Sequence, residues 1–145
     1  MKKPLLISAC LLGENCKYNG GNNFNEAVLP LGECYELIPI CPEQDGGLPT
    51  PRTPSEQLGD RVLSKDGADV TAQFLCGAQR ALETAKAHGC TIALLKERSP
   101  SCGCGAIYDG TFSGTVIPGD GVTAELLKAN GIAIFGESRI HEFMR

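Results

Sequence analysis

Residues 96–105 read Lys-Glu-Arg-Ser-Pro-Ser-Cys-Gly-Cys-Gly, two thiols and two hydroxyls with little side-chain bulk between them. They follow an apolar run, Ile92-Ala93-Leu94-Leu95, which has the pattern of a buried strand. Pro100, Gly103 and Gly105 supply the turn that such a strand needs. Two earlier stretches share this layout of apolar run and then cysteine: residues 5–9 lead to Cys10, and residues 37–40 lead to Cys41. The ends of parallel strands lie close in space, so Cys10, Cys41 and Cys102 are expected to meet. Gathered thiolates are ligands for a soft metal or a redox-active set.

The other five of the eight cysteines have weaker claims. Cys76 in a helix and Cys90 at the opening of a strand read as small hydrophobes. Cys34 reads as a bystander in a polar loop. Cys16, in a glycine-rich loop after Cys10, and Cys104, next to Cys102, are left open. Structural zinc uses Cys-x-x-Cys knuckles, which this chain lacks, and only two histidines stand by. His88 suits the negative end of a helix, and His141 reads as solvated. Iron–sulfur clusters accept ligands from separated loops, and three thiolates leave one iron of a 4Fe-4S cluster open. The spacing alone leaves three readings: a cluster enzyme, a non-catalytic iron–sulfur or metal-binding sensor or store, and a metal-free cysteine redox enzyme.

Four apolar runs supply strands at residues 4–9, 36–40, Ile92–Leu95 and 132–135. Pro39 favours an edge position for the second. The clearest helix spans Thr71–His88, with Phe74, Ala78, Ala81, Leu82 and Ala85 on one 3.6-residue face. Asp69 or Thr71 can cap its start, and Gly89 suits its end. A second helix is expected over residues 123–130, a turn or two over 24–29, a short turn over 55–58 and a small hairpin over 61–67. Residues 107–114 read as turn-rich chain. Pro49, Pro51 and Pro54 keep the long segment after Cys41 irregular, and such loops are more often functional than idle. The alternation predicts one α/β domain over residues 1–145. It is a three-layer, Rossmann-like, mainly parallel sheet of about four strands with helices on both faces. Ligands then bind at the carboxyl ends of the strands.

A chain of 145 residues can bury roughly 70% of its unfolded surface, so eight cysteines exceed what stability asks. The net charge of −4 makes nucleic acid an unexpected partner. The start, Met1-Lys2-Lys3 and a short apolar run to Cys10, is too brief for a signal peptide. No stretch approaches the ~20 apolar residues of a membrane span. A cytoplasmic chain with reduced thiols is expected. Oligomeric state is not legible.

Several stretches form a pattern, in order along nearly the whole chain. They are Ser8-Ala9-Cys10-Leu11-Leu12-Gly13, Cys16-Lys17-Tyr18-Asn19-Gly20, Cys41-Pro42-Glu43 and Gly46-Gly47-Leu48-Pro49-Thr50-Pro51-Arg52 in the first half. The second half has Asp69-Val70-Thr71, Leu95-Lys96-Glu97-Arg98-Ser99-Pro100-Ser101-Cys102-Gly103, Ile107-Tyr108-Asp109-Gly110 and Gly121-Val122-Thr123-Ala124. Together they resemble the thiouracil desulfidase family, formerly a bacterial domain family of unknown function. The resemblance implies a 4Fe-4S cluster held by Cys10, Cys41 and Cys102, whose open iron takes sulfur from a thiolated pyrimidine without net redox change. Such a reaction turns 4-thiouracil into uracil plus sulfide. It implies Glu43 and one serine of Ser99 and Ser101 as groups that handle water. Beside what the resemblance implies, Arg52, Lys96 and Tyr108 are expected at the substrate. A small-molecule thiolated base is the expected partner; free base, nucleoside and tRNA are not separable from sequence. Lys17-Tyr18-Asn19 departs from the Arg-Tyr-Asp expected there, and Cys104 lies outside the pattern. Each side chain also has a plainer reading: Glu43 pairs with Arg52, the serines bond nearby backbone, and Tyr108 and Asp109 shape a turn.

Overall fold

The structure, a computed structural model, describes residues 2–143; Met1, which opens the signal-like start, lies outside them. Its centre is a four-stranded sheet of β1 (Lys3–Ser8), β2 (Tyr35–Ile40), β5 (Ile92–Leu95) and β8 (Ala133–Gly136). The order is β2-β1-β5-β8 and every pair is parallel. Pro39 is tolerated because β2 has β1 as its one neighbour, so the missing N–H faces no partner strand.

The strands are apolar on both sides because both sides are covered. Leu5 and Ile7 face one core with Leu94, Leu11, Val28, Leu31 and Ile140. Leu6, Ala93 and Leu95 face the other, against Ala81, Leu82 and Ala85 of α3 (Thr71–His88) and Leu127 of α4 (Val122–Ala129). The two long helices therefore share one face. The opposite face is closed by short pieces: 3-10 turns at Ala9–Leu12, Glu26–Val28 and Glu137–Phe143, and α1 (Leu31–Cys34).

The expected α3 matches end to end. The Thr71 N–H donates to Asp69 Oδ1 at 2.9 Å, and Gly89 closes the helix with φ 70°. Cys76, expected inside, is exposed: the buried face runs through Phe74, Gly77, Ala78 and Ala81, and Cys76 falls on the other side. Residues 55–58, expected as a turn, form β3 (Ser55–Leu58), which pairs antiparallel with β4 (Arg61–Ser64). The turn-rich chain after Cys104 holds a second hairpin, β6 (Ala106–Tyr108) with β7 (Val116–Pro118). Both hairpins stand outside the main sheet, toward the ends of the strands that carry the cysteines. Among the described residues, no helix is long and apolar enough to cross a membrane.

Candidate active site

The carboxyl ends of β1, β2 and β5 open into a cavity of about 620 Å³. The crossovers from β1 to β2 and from β2 to β5 run in opposite directions along the sheet, which is where α/β sheets open a crevice. Cys10, Cys16, Cys41 and Cys102 all line it. Cys10 sits in the 3-10 turn that begins as β1 ends; Gly13, with φ 94°, closes that turn. Cys41 is the N-cap of α2 (Pro42–Asp45), so the strand end and the helix start fix it from both sides. Cys102 is 4% exposed in the turn after β5.

The four thiols differ in how easily each ionises. A hydrogen bond from Cys16, helped by Asn23 and the Lys96 charge, pulls Cys10 down to about 7 against the penalty of burial. Cys16 likewise pulls Cys41 down, with help from the Gln44 backbone and Arg52. Cys16 itself is pushed up, because its proton serves both neighbours. Burial raises Cys102 to about 12, although Ser8 bonds its sulfur. The Ser8 hydroxyl, 3% exposed, also accepts the Lys96 N–H at 2.9 Å and so ties β1 to the strand end that leads to Cys102.

Beside the thiols runs a chain of oxygen groups. Ser101 Oγ donates to Glu43 Oε2 at 3.2 Å, and Ser99 Oγ lies 2.9 Å from Ser101 Oγ. A carboxylate only accepts, so Ser101 gives its proton to Glu43 and takes one from Ser99. Ser99 Oγ in turn accepts the N–H groups of Ser101 and Cys102, at 3.1 and 3.0 Å. Ser99 therefore shapes the turn, and Ser101 reaches the carboxylate.

Arg52 holds the other side of Glu43. Its Nε donates to Oε1 at 3.0 Å, and its side chain is 7% exposed. The remaining nitrogens donate to Thr50 Oγ1 at 2.8 Å, the Cys16 carbonyl at 2.9 Å and the Pro49 carbonyl at 3.3 Å. The guanidinium thus joins the Cys16 loop, the proline-rich loop and α2. Lys96 Nζ donates to the Glu97 carbonyl at 3.1 Å and pairs with Glu137 at 3.3 Å.

Glycines allow the backbones to approach closely enough to place these groups. A Cβ on Gly77 of α3 would lie 1.9 Å from the Pro42 carbonyl oxygen, and one on Gly46 would lie 2.0 Å from that of Gln73. Short α2, with Glu43 on it, rests directly on α3 because neither position carries a side chain. A Cβ on Gly121 would lie 2.4 Å from the Ser101 carbonyl, so α4 starts against the Ser101–Cys102 backbone.

The rim is built from the loops and hairpins. Tyr18, Tyr108, Phe112, Arg98, Lys65 and Glu56 line it. Arg98 and Phe112 are the two non-glycine residues with positive φ among the described residues, 64° and 56°. A bulky residue in that region costs ~1–3 kcal/mol and persists only where its surroundings impose it. At Phe112 the imposing group is Glu56, whose Oε1 accepts the N–H of Gly110 at 3.0 Å and of Phe112 at 3.2 Å.

Cys10, Cys41, Cys102, Glu43, Ser99, Ser101, Arg52, Lys96 and Tyr108 were all expected at one site, and all line this cavity. Cys16, left open, joins them; Cys104 does not line it and places its thiol 3.8 Å from the Ile134 carbonyl. Ser8, Asn23, Glu56, Phe112 and Glu137 were not singled out. Ser8 lies inside a quoted motif, but a strand-end serine has no mark of its own, and the others contact the site only through tertiary folding. Among the described residues, no three His, Cys, Asp or Glu side chains are grouped to hold a single metal ion. Thiols are nonetheless the donors an iron–sulfur cage uses, and such a cage takes them from separated loops, as Cys10, Cys41 and Cys102 are at this cavity.

The sequence profile described as 2-thiouracil desulfurase matches residues 5–139. A protein of Bacillus subtilis (strain 168), the uncharacterized protein YbbK, is 39% identical over 150 residues, covering 97% of this chain and 99% of that one. The solved structure of the 4Fe-4S-dependent thiouracil desulfidase TudS superposes with a TM-score of 0.92 at 43% identity, covering 99% of this chain and 96% of that one.

Proposed function

The chain belongs to the 2-thiouracil desulfurase family, and from that premise we propose that it is an iron–sulfur enzyme converting a thiolated pyrimidine to the oxo base plus sulfide. Cys10, Cys41 and Cys102 would hold a 4Fe-4S cluster. When bound, the cluster supplies an iron without a protein ligand, a soft Lewis acid suited to thione sulfur and to sulfide as leaving group.

Glu43 is the base. Arg52 engages Oε1, which leaves Oε2 to take the proton of the water that attacks the C=S carbon. Ser101, bonded to Oε2, aligns that oxygen and passes a proton between it and the cavity, with Ser99 holding Ser101 in turn. The water loses one proton to Glu43 as the new C–O bond forms. The adduct then gives up its remaining O–H proton as the C–S bond breaks and hydrosulfide leaves, so C=O replaces C=S with no change of oxidation state. Proton transfer of this kind is worth roughly 10²–10⁴-fold. Four of the five Arg52 N–H donors bond protein groups, Glu43 among them, so Arg52 acts mainly by holding Glu43. Lys96 and Tyr108 face the space left for the base.

The observation that carries this reading is the convergence of three strand-end thiols and the Glu43–Ser101–Ser99 chain on one cavity. Anaerobic incubation of the cluster-loaded protein with 4-thiouracil tests it, with uracil and sulfide appearing one for one. A brown, iron-loaded protein that forms neither would make it a sensor or store instead.

A further inference from the structure

We infer that Phe112 is the aromatic face against which the substrate ring lies, and that it makes the enzyme select planar thiolated rings. This rests on the function proposed above and adds a specificity-determining residue to it.

Phe112 is half-buried and lines the cavity that holds the thiols and Glu43. Its φ of 56° is a conformation that phenylalanine adopts only under constraint. In a loop closed by Gly110 and Gly114, both with positive φ, a glycine at this position would meet the backbone requirement without strain. The chain instead keeps a large aromatic residue there and supplies an anchor for it. Glu56, from the other hairpin, receives the N–H groups of Gly110 and Phe112 on one carboxylate oxygen. These are charge-assisted bonds, strong enough to hold the loop in one shape. The constraint thus serves the ring's position, and the ring's exposed side belongs to the cavity.

A pyrimidine thione commits its sulfur and the carbon beside it to the reacting end of the cavity. It offers its ring N–H groups and remaining carbonyl at the edge, where polar groups can take them, and a flat π-surface on each face. Stacking on an aromatic side chain uses that surface and tolerates variation at the ring edge, so it reads planarity rather than substituents. A thione of the same size with a puckered ring loses this contact while keeping the reactive group.

Cluster-loaded wild type, Phe112→Ala and Phe112→Tyr are compared on 4-thiouracil and on its 5,6-dihydro analogue, whose saturated ring is not flat. Phe112→Ala is expected to raise KM for 4-thiouracil about 10-fold, the worth of one stacked base. It should leave the dihydro analogue within about two-fold, while Phe112→Tyr, which keeps the ring, stays near wild type. Glu56→Ala, which frees the loop, should shift KM in the same direction as Phe112→Ala. An unchanged KM in Phe112→Ala, or an equal loss on both compounds, overturns the inference. If wild type converts neither compound, the proposed function fails, and equilibrium binding of 4-thiouracil followed by its absorbance decides. Binding weakened by Phe112→Ala supports the aromatic face; equal binding, or none in wild type, overturns it.

Discussion

Half of the eight cysteines line the cavity and half do not, and burial does not separate the two sets. Cys90 is as buried as Cys16 and Cys102, while Cys10 and Cys41 are only half-buried. Ionisation separates only part of the cavity set, since burial raises Cys102 as it raises Cys90 and Cys104, and Cys16 is raised by its bonds to Cys10 and Cys41. Cys90 and Cys104 sit in surroundings whose burial pushes their thiols up. Cys10 and Cys41 are pulled down by donors from Cys16, Asn23 and the Gln44 backbone. These donors come from the loop that follows β1 and from the start of α2, which a cysteine at a strand end meets and one inside a helix or strand does not. The lesson is that position after a strand, more than burial or spacing, gathers cysteines at one cavity.

The largest expected effect breaks this contrast directly. Replacing Cys10, Cys41 or Cys102 by Ser should remove nearly all bound iron and acid-labile sulfide, while Cys34→Ser and Cys76→Ser should leave both unchanged. Next comes the chemistry. Glu43→Gln should lower kcat by roughly 10²–10⁴-fold with iron content intact, and loss of the cluster as well would make Glu43 a structural residue. Smaller again is the support beneath Glu43. Gly77→Ala drives a methyl into the Pro42 carbonyl and should cost about 1–3 kcal/mol, read as a lower Tm together with reduced turnover.

The gentlest test follows the thiols of the cluster-free protein. Cys10, lowered to about 7, is thiolate above that pH and thiol below it. Its iodoacetamide labelling should therefore rise through neutral pH and level off, with Cys102, raised to about 12, unlabelled over the same range. Cys16→Ser weakens the bond that lowers Cys10 and should move that rise to higher pH.

Much of this contrast is legible in the order of the residues. Continuous apolar runs of this length read as strands buried on both faces, and each of three leads to a cysteine, so the strand-end places of Cys10, Cys41 and Cys102 follow from hydrophobic patterning. The bounds of α3 follow from its periodicity and from Gly89. The hairpins are not legible in the same way. Ser55-Glu56-Gln57-Leu58 has no apolar alternation, and pairing with β4 makes it a strand. Gln57 also donates to the Pro100 and Asp120 carbonyls, ties that no local pattern announces. Phe112 and Glu56 escape notice for the same reason, since they meet across 56 residues of chain. Glu43 and Arg52 read both as catalyst and as ion pair; the pair is present, and it leaves one carboxylate oxygen for Ser101.

The most direct measurement takes one anaerobic preparation and follows 4-thiouracil turnover before and after its iron is removed by oxidation and chelation, then after iron and sulfide are restored. Activity should fall in proportion to bound iron and return with it. An iron-free, colourless protein that still forms uracil and sulfide at the full rate would contradict a cluster held by Cys10, Cys41 and Cys102.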